Sequence, residues 1–400
     1  MAEETTYDFV IVGGGPAGFS AARTLREEGA TGSIALITRD PHAPYDRTTV
    51  TKSYLRGEDA LADILLAPPD WWDEQRVDLR TRTSAMKLDA AAHVVTLSTK
   101  ERLRYGKLLL ATGSNVRRLR IDGDQLSGIH YVRVPGNADE IREEAEAIEH
   151  VVLVGGSYVA TEVAASLTTL GKRCTLVMQE QVTLERTFGA TAGGFFQRVL
   201  EQHGVAIHGG EQVARFEGDE RVAAVVTDSG GRYEAELVVV GAGVTPDVHL
   251  AARAGLALGE RGGVLTDRRL QTSAADVYAA GDVAEYDSVV HGRRLRVEHW
   301  DVAEQQGRSA ALAMLGRDHD HAVVPYFFSD LADWSLLEYV GPAARWDEEV
   351  VNGSLDDGAF SVHYLDGGRL AAALSVGGFA DLDRARELIA ADTPVSAADL

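Results

Sequence analysis

The chain is poor in thiols, in lysine and in basic charge. One cysteine, Cys174, stands among 400 residues. That excludes an intrachain disulfide, a Cys-x-x-Cys redox pair and a four-cysteine iron–sulfur or zinc site. Only five residues are lysine, and 39 Lys and Arg together face 61 Asp and Glu, a formal net charge of −22 at pH 7. Phosphate backbones require a basic face and anionic membranes a polybasic cluster, so the balance argues against both partners. Acidity of this kind reads as solubility. No apolar run approaches the roughly 20 residues that span a bilayer. The acidic opening MAEETTYDFVIVGGG leads directly into a strand. No secretory or transit peptide is therefore expected, and the sequence reads as cytoplasmic. The twelve histidines are scattered. His319 and His321 alternate without further ligands and read as surface residues, so no metal site is expected.

What is present points to nucleotides. With 45% hydrophobic residues the chain can bury two or three cores. YDFVIVGGGPAGFSAARTLREEG holds a buried-strand run, then Gly13, Gly15 and Gly18 in Gly-x-Gly-x-x-Gly spacing, then a helical pattern. The glycines allow a tight turn, close approach of a pyrophosphate to the backbone, and close helix–strand packing. Pro16 and Ala17 open the helix, whose free N–H groups face the phosphates. An acid is expected about 20 residues onward to hold the ribose hydroxyls. In IALITRD that acid is Asp40, which leaves Arg39 to lie against adenine.

The pattern recurs in degenerate form at HVVLVGGSYVATEVAASL. Gly155, Ser157 and Ala160 take the three glycine places, with Gly156, Tyr158 and Val159 between them. Serine narrows the approach to pyrophosphate but can donate a hydrogen bond, and the place of this unit after a complete first site supports a second nucleotide. Met178 stands where the ribose acid would be, with Glu180 nearby. No Arg or Lys follows until Arg186, so a 2′-phosphate lacks a clamp and NADH is expected ahead of NADPH. Strands end at Ala111-Thr112-Gly113, at Gly241-Ala242-Gly243 and at Gly281-Asp282. Beyond residue 322, short alternating strands and one helix predict a small α/β tail domain that tapers into a mobile TPVSAADL.

In this order the elements resemble the two-dinucleotide-fold flavoprotein reductases, and more narrowly the ferredoxin/rubredoxin reductases of oxygenase systems and the apoptosis-inducing-factor-like proteins. The motifs are the first glycine motif, PYDR…K, ATG, the second glycine motif with Glu162, GAGVTP, YAAGDVA, VEHW and PYFFSD. The resemblance implies an α/β fold with two Rossmann-like domains: FAD binding at 1–115 and 245–322, and NAD(P)H binding at 116–244. A small α/β domain at 323–400 completes it. It implies that Asp282 holds the ribityl–phosphate region of FAD, that Arg47 neutralises its pyrophosphate, and that Thr112 and Gly113 line its path. Glu298, His299 and Trp300 would border the isoalloxazine ring. Lys52 would lie near flavin N5, where a fixed cation stabilises the charge arriving with a hydride. Glu162 would pair with Lys52 and contact the nicotinamide amide. Phe328 stands where the family often has a tryptophan, and Thr48-Thr49 replaces a usual Pro-Pro.

Related flavoproteins that reduce disulfides keep a cysteine near the flavin, but here the segment reads Thr48-Thr49-Val50-Thr51. Electrons must then leave the flavin for an external acceptor. The leading expectation is an NADH reductase that passes single electrons to a small ferredoxin- or rubredoxin-like protein. An NADH oxidase or quinone reductase, and a redox-sensing protein of the apoptosis-inducing-factor kind, stand beside it, and a homodimer is compatible with each. Arg117, Arg118 and Arg120, or Arg293, Arg294 and Arg296, could steer an acidic partner or be solvated turns.

Overall fold

The computed structural model describes residues 4–396 and 399–400. Residues 1–3 of the acidic opening and 397–398 of the tail expected to be mobile lie outside the described residues. The rest of that tail is hydrogen-bonded: Val395 N donates to Gly368 O at 3.0 Å, and Asn352 Nδ2 donates to Leu400 O at 3.3 Å. The protein is α/β and divides into two units. Unit 1 comprises Met1–Asp46, Leu65–Asn115 and Thr245–Phe327, and unit 2 comprises Arg47–Ile64, Val116–Val244 and Phe328–Leu400. Residues 47–64, assigned from sequence to the FAD-binding domain, group with unit 2.

Unit 1 is built on a sheet in the order Val77–Arg80, Ile34–Ile37, Glu4–Val12, Arg102–Leu110, Val94–Leu97, Ala85–Asp89, with Val277–Ala279 also paired to Arg102–Leu110. The strands Ile34–Ile37 and Val277–Ala279 are buried along their whole length. That is the signature of parallel strands covered on both faces, and their pairings are parallel. The first nucleotide helix, Pro16–Glu27, carries proline in its first turn, where a missing N–H costs nothing. It ends just before Gly29, whose φ of +85° suits the left-handed stop. Its inward face holds Ala21, Ala22 and Leu25, all fully buried. Against it lies helix Trp300–Met314, so close that a Cβ on Gly307 would fall 2.2 Å from the Ala17 carbonyl oxygen.

In the same unit the segment after that helix corrects one expectation. His321 is 1% exposed, not at the surface; its Nδ1 lies 3.0 Å from Ser309 Oγ, and its N–H donates to Arg268 O at 2.8 Å. Asp318 pairs with Arg269 and Asp320 with Arg268, and these outward-facing ion pairs hold the segment so that His321 points inward. Burial, with His319 adding to it, pushes the His321 imidazole down to about 4. Among the described residues no cluster of three metal-ligating side chains occurs.

Unit 2 repeats the design. Its parallel sheet runs Ala206–His208, Arg173–Val177, His150–Val154, Leu237–Val240, Ile129–His130, with the second nucleotide helix, Tyr158–Thr169, following His150–Val154. The C-terminal residues add a five-stranded sheet in the order Tyr326–Leu331, Ser335–Val340, Arg369–Val376, Ala359–Asp366, Glu348–Ser354, and helix Asp383–Ala391. Aromatic residues join these parts of unit 2. Phe188 lies 5.3 Å from Tyr339 between ring centroids, and Tyr364 donates its hydroxyl to Phe188 O at 2.9 Å. Truncating a ring as buried as Phe188 would cost about 3–5 kcal/mol. Among the described residues no helix is long and apolar enough to cross a membrane.

Candidate functional site

The two glycine turns are built on the same joints. In unit 1, Gly13 N donates to Ile37 O and Ala111 N to Val12 O, both at 2.8 Å. In unit 2, Gly155 N donates to Val177 O at 2.9 Å and Gly241 N to Val154 O at 2.8 Å. Gly13 has φ +127° and Gly155 +117°, and an added Cβ would strike Ala111 O at 1.9 Å or Gly241 O at 2.4 Å. Neither turn can carry a side chain. Ala111-Thr112-Gly113 and Gly241-Ala242-Gly243 are thus counterparts, with positive φ at Gly113 (+66°) and Gly243 (+88°).

The first turn suits a dinucleotide. A Cβ on Gly15 would meet nothing within 4 Å, whereas one on Gly18 would meet the Gly13 carbonyl at 2.0 Å. Gly15 therefore faces open space and Gly18 closes helix on strand. No side chain caps the helix at Gly15, which leaves its first N–H groups for an anion. Asp40 accepts from Tyr45 Oη at 2.8 Å and from His42 N at 3.2 Å. Arg39 is exposed and reaches Asp247 at 3.1 Å and Asn115 at 2.6 Å. Thr112 donates to Asp247 O at 2.7 Å.

Asp282 follows Gly281, where a Cβ would come within 3.3 Å of Ala17 Cβ, so the Gly281 turn abuts the start of the first helix. Glu298 is paired with Arg296 at 2.5 Å, and Trp300 opens its helix with His299 as the preceding cap. The His299 ring stands 4.3 Å from that of Phe327. Its Nδ1 is buried with no hydrogen-bond partner in the protein, an orphan that a bound ligand would satisfy. Burial pushes this imidazole down to about 4, with Asp282 opposing. These residues fit FAD.

In unit 2, a Cβ on Gly156 would meet Met178 Sδ at 2.7 Å and Glu180 Oε2 at 3.0 Å, so Met178 floors the turn and Glu180 borders it. Glu180 is paired at 2.6 Å with Arg186. Ser157 is exposed and does not cap its own helix, while Tyr158 and Val159 are half-buried in the first turn. Ser157 Oγ is thereby left for a phosphate, and these residues fit a second dinucleotide.

Farther along that helix sits a charged cluster. Glu162 is buried: its Oε2 accepts from Thr51 Oγ1 at 2.6 Å and its Oε1 from Ser329 Oγ at 2.5 Å. Lys52 Nζ is 3.6 Å from Glu162 Oε1 but 2.8 Å from Asp330 Oδ2. It also lies 5.1 Å from the centre of the Phe328 ring, which is 41% exposed. Burial works against the Lys52 charge, yet Glu162 and Asp330 together raise its pKa above the ordinary 10.5. Burial raises Glu162, with Lys52 and the two hydroxyls opposing. Arg47, at the head of this segment, donates to Arg133 O at 2.5 Å.

Thr51, Ser329 and Asp330 were not assigned a role from sequence. Ser329 had a signal of its own: in Tyr326–Leu331 it shares the buried face with Phe327 and Leu331, and a polar residue on such a face needs a partner. Cys174 is buried in Arg173–Val177, and burial pushes its thiol up to about 11. It offers no thiolate at neutral pH.

Residues 7–307 match the family described as pyridine nucleotide-disulphide oxidoreductase, and residues 326–400 match a reductase C-terminal domain. The chain belongs to the pyridine nucleotide-disulphide oxidoreductase family. It is similar to a rhodocoxin reductase of Rhodococcus erythropolis, 33% identical over 97% of this chain and 90% of the relative. It is also similar to the ferredoxin–NAD(+) reductase component of an anthranilate 1,2-dioxygenase system from Burkholderia cepacia, 34% identical over 96% and 94%. Among solved structures it resembles the reductase of a covalent putidaredoxin reductase–putidaredoxin complex, with a TM-score of 0.92, 30% identity and 99% and 95% coverage. The protein is an FAD-dependent NAD(P)H oxidoreductase of the ferredoxin reductase type. Within a family described by disulphide chemistry, its sealed Cys174 leaves it without a thiol for that reaction.

Proposed function

We propose that the protein takes hydride from NADH and passes electrons one at a time to a small ferredoxin- or rubredoxin-like protein. The Lys52–Glu162–Asp330 cluster carries this reading: a buried cation, held charged, in a chain with no usable thiol. Bound FAD supplies the hydride acceptor and the step from two electrons to one. The chain's residues do the rest. In unit 1, Gly13, Gly15 and Gly18 admit the pyrophosphate and Asp40 holds ribose hydroxyls. Asp282 binds the ribityl–phosphate region. In unit 2, Gly155, Gly156 and Ser157 cradle the NADH pyrophosphate and Glu180 takes its ribose. Glu162 binds the nicotinamide amide, and Lys52 stabilises the negative charge that arrives with the hydride.

We assign the acceptor by chemistry and by likeness: relatives act with ferredoxin-type proteins by name, and exposed Phe328 offers an aromatic contact beside Lys52. A cytoplasmic setting, where NADH is available, suits this reading. Anaerobic stopped-flow spectroscopy tests it. NADH should bleach the flavin within the turnover time and NADPH much more slowly, and an added [2Fe–2S] protein should then reoxidise it faster than oxygen does. Reoxidation by oxygen alone at the full turnover rate would instead favour an NADH oxidase.

A further inference from the structure

The cluster in unit 2 is not a simple Lys–Glu pair. Lys52 has two carboxylate neighbours, and the nearer is Asp330 at 2.8 Å, within hydrogen-bond distance; Glu162 at 3.6 Å is not. Both oxygens of Glu162 are engaged by hydroxyls, from Thr51 and from Ser329. Thr51 is in turn fixed by Ser166, whose Oγ donates to Thr51 O at 2.8 Å. Ser329 and Asp330 are consecutive, so one strand, Tyr326–Leu331, supports both members of the pair. We propose that Asp330 is a positioning residue: it is the standing counter-ion of Lys52, and by holding the ammonium it keeps Glu162 available to the nucleotide. The inference rests on the NADH reading above and deepens it.

The physical logic is competition for one cation. A charge-assisted hydrogen bond at 2.8 Å is about twice as strong as a neutral one. Without it, the Lys52 ammonium would close the remaining gap to Glu162, and a buried carboxylate locked in a direct ion pair is a poorer acceptor for an amide N–H. The charged groups around Lys52 are few. Glu162 faces it from the second nucleotide helix and Asp330 from the C-terminal sheet. Arg56, four residues on in Ser53–Arg56, pairs with Glu58 at 2.7 Å and adds only a longer-range attraction toward Asp330 and Asp333. Asp139 and Arg142 of helix Pro135–Glu146 face Tyr54 instead, at 3.1 Å from its hydroxyl and through a 2.8 Å bond to its carbonyl.

The test compares D330N, D330E and E162Q as holoenzymes. Asp330 is partly exposed and asparagine has its shape, so D330N should fold and keep FAD. First, the five lysines are labelled with 13C at Cε, and Lys52 is assigned by its loss in K52R. D330N should lower the pH midpoint of Lys52 by at least about one unit, E162Q by less, and D330E should restore it. Second, flavin reduction by NADH is followed from pH 6 to 10. Wild type should be flat, D330N about tenfold slower with a new alkaline limb, and D330E near wild type. If E162Q moves the Lys52 midpoint more than D330N does, Glu162 is the counter-ion and the proposal falls. It falls equally if D330N leaves both the midpoint and the pH profile unchanged. If NADH does not reduce even the wild type while D330N still shifts Lys52, the counter-ion assignment stands and the NADH reading fails.

Discussion

Asp40 and Glu180 hold the same place in the two nucleotide-binding folds. Each stands three residues past the last residue of the corresponding strand, Ile37 or Val177, and those residues accept the N–H of the matching glycines, Gly13 and Gly155. Glu180, and not Met178 as expected from sequence, is thereby the counterpart in unit 2 of the acid expected to hold a ribose, while Met178 matches Thr38.

Replacing Glu180 by Ala should weaken NADH binding about tenfold, the size of one hydrogen bond to a charged group. It should also narrow the preference over NADPH, because the carboxylate that would repel a 2′-phosphate is gone and Arg186 is released. Dissociation constants for both nucleotides measure this. An unchanged ratio would sink the assignment of Glu180.

Gly13→Ala should give a destabilised, colourless protein. The added methyl lies 1.9 Å from Ala111 O at a φ of +127°, so the turn must open and the helix N-terminus must move. A loss of at least about 2 kcal/mol is expected. Thermal unfolding and the FAD absorbance of the purified protein are the readouts.

Lys52→Met should leave FAD in place and slow flavin reduction by about 10²–10³-fold, the usual scale for removing one charge-stabilising group. The raised pKa of Lys52 means that its charge persists through neutral pH. Any stability it confers is fully present below 10.5 and is lost only as pH rises through the folded value. Reduction rates of the variant at pH 7 check the prediction, and a wild-type rate would remove Lys52 from the mechanism.

Acid should destabilise unit 1 in a defined window. His321 titrates near 4 in the folded protein, against an ordinary 6.5, so the unfolded chain binds the extra proton between those values. Its contribution is complete above 6.5 and falls away as pH drops toward 4, by about 3 kcal/mol in all. His321→Gln should flatten the pH dependence of the urea midpoint over that range. An unchanged slope would mean that the ring is solvated.

Legibility in the sequence followed locality. Gly13, Gly15 and Gly18 were readable because turn, strand and helix are consecutive, and the offset to Asp40 follows from one strand length. Asp330 and Ser329 were not, because they meet Lys52 and Glu162 from 278 and 167 residues away, and such convergence leaves no periodic trace. His321 misled for a related reason. DHDH reads as a polar strip, whereas Arg268 and Arg269 pair with its aspartates and Ser309 and Tyr286 pack against His321.

The seclusion of Cys174 has a practical side. With the protein's one sulfhydryl buried and held as a neutral thiol, the exterior presents no native site to maleimides or gold. A cysteine placed at an exposed position would then be the single attachment point. The enzyme could be tethered to an electrode in one chosen orientation and its electron output read directly, with no partner protein in the circuit.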